Sequence, residues 1–222
     1  MNWGYEEDPP MELPLPQTDE PNRYAIQLYH RVATQADLTG KRVLEVGCGH
    51  GGGASYLARS LGPESYVGMD LNRIGIDRCR ERHDVAGLEF CHGNAEELPF
   101  ADETFDAVIN VESSHCYPHF DRFLTEVARV LRPGGDFLYA DVRARDLIPA
   151  WERDLNAAPL RIVSKTDISD EVAAGMEKNM PQLRELSRRV PTALVNGFYG
   201  VARRGLQESG DSYRVFHLVK AS

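Results

Sequence analysis

Between residues 41 and 142, short apolar segments alternate with segments of helical periodicity, and no other feature of the sequence restricts the fold as strongly. The apolar segments are RVLEVG, SYVGMD, GLEFCHG, FDAVINV and DFLYADV. This alternation is typical of βαβ units, in which helices cover both faces of a parallel sheet. The sequence therefore predicts an α/β fold with an open, doubly wound, mostly parallel, Rossmann-like sheet.

The chain has 222 residues, which fits a single domain, since single domains commonly run to roughly 200 to 250 residues. We expect residues 1–37 to form an N-terminal arm and helix, and 38–142 to form the ligand-binding core. The arm is rich in proline and extended, and its helix is predicted to begin at Thr18 or Asp19 and to end near residue 36.

Residues 143–222 are expected to supply a helical lid after the fifth strand, followed by terminal strands. Helices are predicted near 147–155 and over 169–189, a hairpin within 196–211, and a last strand in SYRVFHLV. Flexible thioethers and aromatic rings suit an irregular apolar ligand, and this part contains several of them. They are Trp151, Met176, Met180, Phe198 and Tyr199.

Charge and composition argue against several classes of partner. The chain carries 25 Lys and Arg against 34 Asp and Glu, a net charge of −9, whereas nucleic-acid affinity depends mainly on basic side chains. No apolar run approaches the roughly 18 residues of a membrane span, and no basic and apolar leader precedes the core. The four cysteines lack metal-ligand spacing. We expect a cytoplasmic protein without a transmembrane segment.

A glycine-rich loop follows the first predicted strand and precedes a helix. Gly47, Gly49 and Gly52 satisfy the G-x-G-x-x-G pattern, and Asp70 lies near the position at which an acid binds ribose hydroxyls. Such glycines allow a ligand to approach the backbone closely. The pattern alone is compatible with a nicotinamide-dependent oxidoreductase.

Glu45 distinguishes between ligands for this loop. It lies at the end of the strand in LEVGCG, where a carboxylate would repel a pyrophosphate. The same carboxylate would suit a ligand that carries an ammonium and a sulfonium. Glu45 therefore favours a sulfonium cofactor over a dinucleotide.

Four segments, VLEVGCGHGGG, GMDLN, GNAEELPF and EVARVLRPGG, resemble the ordered motifs of class I S-adenosylmethionine-dependent methyltransferases. NWGYEEDPP, DEPNR, LYHR, GCGHGGGASYL and ESSHCYPHF are similar to mycobacterial lipid methyltransferases that act on phthiotriolone dimycocerosates or fatty acids. The resemblance implies O-methyl transfer from S-adenosylmethionine to a hydroxyl or carboxyl of an apolar small molecule, such as a lipid or polyketide-type metabolite. It also gives Asn94 the role of binding the adenine amino group.

From these arguments the predicted cofactor-binding residues are Glu45, Gly47, Gly49, Gly51, Asp70, Leu71, Asn94, Ala95, Asn110 and Tyr29. The alternatives are the oxidoreductase and a non-catalytic partner protein with a methyltransferase fold. The sequence is also compatible with a homodimer.

Methylation of a neutral hydroxyl requires a base, because the proton must leave as the new bond forms. His115 follows the fourth strand, and Asp141 ends the fifth, so the acid could orient the imidazole. The pair resembles the His and Asp of sugar O-methyltransferases with an ESxHH-type loop. His119, His30 and His50 remain alternative bases. No Asp-Asp-Asn cluster for Mg²⁺ is evident, so no metal is predicted.

Overall fold

The computed structural model describes residues 2–186 and 191–221. The described residues form one sheet with the strand order β3-β2-β1-β4-β5-β7-β6. Strands β1 to β5 are parallel, whereas β7 runs antiparallel to both β5 and β6. The strands are β1 Arg42–Val46, β2 Ser65–Asp70, β3 Leu88–His92, β4 Phe105–Val111, β5 Leu131–Arg143, β6 Leu160–Asp167 and β7 Ser212–Lys220.

Helices pack on both faces of this sheet. On one face, Leu28 and Val172 share a core with Ile109 of β4. On the other face, Phe123 and Trp151 share a second core with Val108 of the same strand. The helices are α1 Arg23–Ala33, α2 Gly52–Ser60, α3 Arg73–Arg82, α4 Phe120–Val130, α5 Ile148–Ala157, α6 Ser169–Leu186 and α7 Thr192–Arg204. The α/β fold predicted from the alternation of segments is confirmed.

The five predicted strands of the core all form, and the central strands β1 and β4 are apolar and buried on both faces. In β1, Val43, Leu44 and Val46 are fully buried, and Leu44 pairs with Val67 on one side and Val108 on the other. A central parallel strand needs this near-continuous apolar character. The register brings the ends of β1, β2 and β4 to one edge of the sheet.

The predicted hairpin within 196–211 is wrong. These residues continue α7 and then form a π-helical turn, Gly205–Ser209. The glycines suggested turns, but a Cβ at Gly197 or Gly200 would meet no atom within 4 Å, so both are tolerated in an exposed helix. Within α7, the side chain of Val195 is buried. Residues 187–189 of the predicted helix over 169–189 lie outside the described residues.

Strand β6 was not predicted from the sequence. It is an edge strand, and in its segment LRIVSKTD only Leu160 is buried, so the apolar pattern of the central strands is weak here. It forms because β7 offers an antiparallel partner along its whole length, from Leu160 opposite Lys220 to Asp167 opposite Arg214.

The N-terminal arm packs against helices α1 and α6. The backbone N–H of Tyr5 donates to Tyr24 O (3.0 Å), and that of Glu6 donates to Glu171 O (3.0 Å). A Cβ at Gly175 would lie 2.3 Å from the Tyr5 nitrogen, so the arm needs a glycine at this crossing. The arm is thus a fixed part of the fold from residue 2 onwards.

Among residues 2–186 and 191–221, no helix has both the length and the apolar character needed to cross a bilayer.

Candidate active site

A cavity of about 920 Å³ opens where β1, β2 and β4 end. This is the edge of the sheet at which ligands bind in open α/β folds. Seven of the residues predicted to bind the cofactor line the cavity: Tyr29, Gly47, Gly49, Asp70, Leu71, Asn94 and Ala95.

The glycine loop has the left-handed backbone conformation that its residues favour. Gly47, Gly49 and Gly51 have φ values of +80°, +56° and +75°. A Cβ at Gly47 would also lie 2.2 Å from Ser113 Oγ. The loop therefore needs glycine at position 47 both for its backbone angle and for its close approach to the β4 loop.

The carboxylate of Asp70 is oriented by the backbone around it. Its Oδ2 accepts from Gly49 N–H and its Oδ1 from Asn72 N–H, both at 2.8 Å. Each oxygen keeps a further lone pair for a hydroxyl donor. Beyond it, the exposed Asn94 uses Oδ1 to accept from Glu96 N–H at 3.0 Å. The wall thus offers fixed polar groups to a ribose and an adenine.

Glu45 lies behind the cavity wall, which corrects the prediction that it contacts a ligand directly. It is fully buried, and its two oxygens accept from the hydroxyls of Tyr29 and Tyr66, each at 2.8 Å. Burial raises the pKa of Glu45 to about 7, although both tyrosine hydrogen bonds oppose the increase. Its contact with Tyr29 makes it a support for a cavity residue.

Asn110 and Gly51 also do not line the cavity. Asn110 Nδ2 donates to Val46 O (2.8 Å) and Ser113 Oγ (2.8 Å), so the amide ties β4 to the end of β1. Its Oδ1 is buried and has no hydrogen-bond partner among the described residues. A Cβ at Gly51 would meet the ring of Phe90, on the side of β3. Both residues shape the loops around the cavity.

The predicted pairing of His115 with Asp141 is present. His115 Nδ1 lies 2.7 Å from Asp141 Oδ1, and the backbone N–H of His115 donates to Asp141 Oδ2 at 2.9 Å. A short 3₁₀ turn, Ser114–Cys116, places the histidine over the end of β5. The hydrogen bond to Asp141 raises the pKa of His115, and the partial burial of the ring opposes this increase.

Asp141 remains charged although it is completely buried. Burial by itself would raise its pKa, but the hydrogen bond from His115 and the charge of Arg143 hold the pKa of Asp141 below its ordinary value. Arg143 Nη1 lies 3.2 Å from Asp141 Oδ2, and its guanidinium packs over the Phe120 and Trp151 rings. A buried charge is stable only with such partners.

His115 does not line the cavity, although its neighbours Ser113 and Cys116 do. Its side chain is 37% exposed, and the pairing with Asp141 leaves Nε2 as the free ring nitrogen. Of the alternative bases, His30 is bonded through Nδ1 to Tyr56 (2.8 Å), and burial lowers its pKa. His115 is the histidine with a bonded carboxylate beside the cavity.

Among the predicted lid residues, Trp151 and Met176 are buried core residues and do not line the cavity. Trp151 Nε1 donates to Tyr139 OH at 2.9 Å. The Phe198 side chain lies outside the described residues. The expectation that these aromatic and thioether groups contact an apolar ligand is therefore not supported for Trp151 and Met176.

Glu112 is a cavity residue that the sequence did not single out. It follows β4 directly, and its Oε2 accepts from the backbone N–H of Trp3 (3.0 Å) and from Tyr213 OH (2.9 Å). Burial raises the pKa of Glu112 to about 7. Asp70 and Asp141 were identified as acidic residues at the end of a buried strand. The segment NVES carries the same signal for Glu112.

These features fit a ligand with a ribose, an adenine and an amino-acid end. The glycine cradle accommodates a close ligand, the Asp70 oxygens can accept from hydroxyls, and the acid Glu45 behind the wall disfavours a pyrophosphate. In residues 2–186 and 191–221, no three His, Cys, Asp or Glu side chains are arranged to hold a metal ion.

Comparison with known proteins agrees with this geometry. Residues 44–139 match the protein family described as a methyltransferase domain. The chain is 60% identical to a fatty-acid O-methyltransferase of Mycolicibacterium smegmatis, over 99% of this chain and 82% of that protein. It is 57% identical to a phthiotriol/phenolphthiotriol dimycocerosates methyltransferase of Mycobacterium tuberculosis, over 99% and 84%.

Solved structures show the same fold at low identity. The [4+2]-cyclase SpnF has a TM-score of 0.76 and 23% identity, over 100% of this chain and 88% of its own. A geranyl diphosphate methyltransferase in complex with S-adenosylmethionine has a TM-score of 0.74 and 16% identity, over 99% and 98%. Neither comparison favours the oxidoreductase. The glycine loop, the oriented Asp70 and the identity to curated enzymes lead to one conclusion: this chain belongs to the methyltransferase family, and S-adenosylmethionine is its cofactor.

Proposed function

We propose that this methyltransferase transfers a methyl group from S-adenosylmethionine to a hydroxyl oxygen of a lipid or similar apolar small molecule. The observation that carries the proposal is the His115–Asp141 pair at 2.7 Å beside the cavity. A positioned base is needed for a neutral hydroxyl acceptor. The names of the two curated relatives, which act on a fatty acid and on a phthiotriol lipid, support an apolar acceptor.

The cofactor would lie along the glycine loop. Asp70 would accept from its ribose hydroxyls, and Leu71, Asn94 and Ala95 would surround its adenine. When bound, S-adenosylmethionine supplies an electrophilic methyl group on a sulfonium. Tyr29, held by Glu45, would close the wall on the side of α1.

His115 would act as the general base. Asp141 holds the Nδ1 side of the ring, so Nε2 is free to accept the proton of the acceptor hydroxyl. The carboxylate also stabilises the imidazolium that forms, because it lies at hydrogen-bond distance and stays charged. Asp141 is therefore a positioning residue in this scheme, and His115 is the proposed catalytic residue.

A carboxyl acceptor is a second candidate, favoured by the 60% identity to a fatty-acid O-methyltransferase. A carboxylate is already ionised, so its methylation does not need a base. The two candidates therefore differ in their dependence on His115.

The test is methyl transfer from isotopically labelled S-adenosylmethionine to a long-chain alcohol and to the fatty acid of equal length, with products identified by mass spectrometry. We expect His115→Ala to abolish most transfer to the alcohol and to spare transfer to the acid. A wild-type protein that methylates neither lipid class would contradict the proposed function.

We also propose that the reaction takes place in the cytoplasm. Support comes from the four cysteines, which are all free thiols.

A further inference from the structure

Glu112 has a backbone conformation that glutamate rarely adopts. Its φ is +50°, in the left-handed region that favours glycine. The conformation is fixed by a hydrogen bond from its N–H to Ala140 O at 2.8 Å. Strained backbone of this kind persists where the surrounding structure determines it, and it is concentrated at functional sites. The chain therefore retains a side chain at a position where glycine would be easier to accommodate.

The two oxygens of the Glu112 carboxylate have different surroundings. Oε2 accepts two hydrogen bonds, from Trp3 N–H of the arm and from Tyr213 OH of β7. Oε1 receives no hydrogen bond from residues 2–186 and 191–221, and Glu112 lines the cavity. A carboxylate can accept hydrogen bonds at both oxygens. One oxygen is thus anchored by the protein, and the other is left for a ligand.

Glu112 is also close to the proposed base. The negative charge of Glu112 contributes to raising the pKa of His115, and it has the same effect on Tyr29 of α1 and Tyr199 of α7. Glu112 and His115 are three residues apart, so their Cα atoms can be separated by at most about 11 Å. Both residues thus belong to the loop after β4, which lines the cavity through Glu112, Ser113 and Cys116.

We propose that Glu112 is a specificity-determining residue that binds a second hydroxyl of the acceptor, so that the preferred substrate is a lipid with two nearby hydroxyl groups. This inference rests on the proposed function. One hydroxyl loses its proton to His115 Nε2 as its oxygen forms the new O–CH₃ bond, while the S–CH₃ bond breaks and its electron pair stays on sulfur. The other hydroxyl donates to Glu112 Oε1 and fixes the orientation of the lipid.

The experiment compares a long-chain alcohol with the same chain carrying a second hydroxyl two carbons away. Assays above the pKa of Glu112, which burial raises to about 7, keep this carboxylate charged. A hydrogen bond to a charged group changes binding by about tenfold or more, so we expect wild-type kcat/KM to favour the diol by at least about tenfold. Glu112→Ala should bring this ratio to about one. Glu89→Gln, a change at an exposed glutamate of β3, is the matched control and should leave the ratio unchanged.

Glu112→Ala also removes the partner of Trp3 N–H, so Glu112→Gln serves as the second variant. Its amide oxygen can keep the bonds from Trp3 and Tyr213, while the charged acceptor in the cavity is lost. We expect normal amide hydrogen exchange in the arm and a diol preference reduced several-fold. A wild-type ratio near one, or a ratio unchanged in both variants, overturns the proposal.

Calorimetry separates this proposal from the proposed function. Both lipids are titrated into the protein saturated with S-adenosylhomocysteine, which needs no turnover. Tighter binding of the diol, lost in Glu112→Ala, supports the role of Glu112 even if neither lipid is methylated. Equal binding of the two lipids to the wild-type protein overturns it. Absence of methyl transfer alone would count against the proposed function only.

Discussion

Replacement of His115 by alanine tests the proposed base most directly. The side chain is 37% exposed, and after the change Asp141 keeps Ser114 Oγ, the backbone N–H of residue 115 and Arg143 as partners, so the protein should remain folded. Loss of a general base typically lowers the rate about 10² to 10⁴ fold. We therefore expect kcat on an alcohol acceptor to fall by at least about a hundredfold, with unchanged affinity for S-adenosylmethionine.

The wild-type rate should also depend on pH in a defined direction. A base must be neutral to accept a proton, and the hydrogen bond to Asp141 raises the pKa of His115 above its ordinary value of 6.5. The rate on an alcohol should therefore rise with pH through a pKa above 6.5. Transfer to a carboxylate acceptor should lack this dependence on His115.

The assay is single-turnover methyl transfer with saturating cofactor, measured on both sides of neutral pH. His115→Asn is an informative second variant, because its amide can still donate to Asp141 but cannot accept the proton as Nε2 does. His119→Ala is the matched control, since His119 is also exposed but, among residues 2–186 and 191–221, its ring pairs with no carboxylate as His115 does with Asp141. If His115→Ala keeps kcat within about threefold of wild type, far from the expected loss, the proton leaves by another route.

Asp70→Ala should weaken S-adenosylmethionine binding at least about tenfold in calorimetry, because hydrogen bonds to a carboxylate are lost; unchanged affinity would contradict the placement of the ribose. Gly47→Ala should reduce cofactor affinity as well, since its Cβ would overlap Ser113 Oγ; normal binding would show that the β4 loop can move. Deletion of residues 1–19 should weaken alcohol binding more than cofactor binding. It should also lower Tm, because the deleted Tyr5 is buried. Full activity of the truncated protein would refute a role for the arm.

The sequence predicted the parallel part of the sheet, because the local pattern of apolar residues determines these strands. The parallel strands are short apolar runs, and the rule that their carboxyl ends gather at one edge was enough to bring His115 and Asp141 together. It also placed Gly47, Gly49 and Asp70 in one cavity. These predictions needed no knowledge of contacts between distant segments.

The remaining features depend on long-range contacts that have no local signal. Glu45 was predicted to face the ligand, but its two carboxylate oxygens accept hydrogen bonds from Tyr29 and Tyr66, which lie outside the glycine-loop motif. The positive φ of Glu112 is imposed by β5 and supported by the arm. Strand β6 is polar and exists because β7 pairs with it. In α7, Gly197 and Gly200 gave the sequence pattern of a turn although both lie in a helix.

The segment between β6 and β7 leaves and re-enters the sheet at neighbouring points. Asp167 pairs with Arg214, and the N–H of Ile168 donates to Tyr213 O at 2.8 Å, so the two ends of the insertion are joined as in a hairpin. A loop closed at its base can change in length or sequence at little entropic cost to the sheet. Helices α6 and α7 thus form an insertion whose length can vary without a change in the sheet, whereas Val172 and Gly175 of α6 hold its first half against the core and the arm.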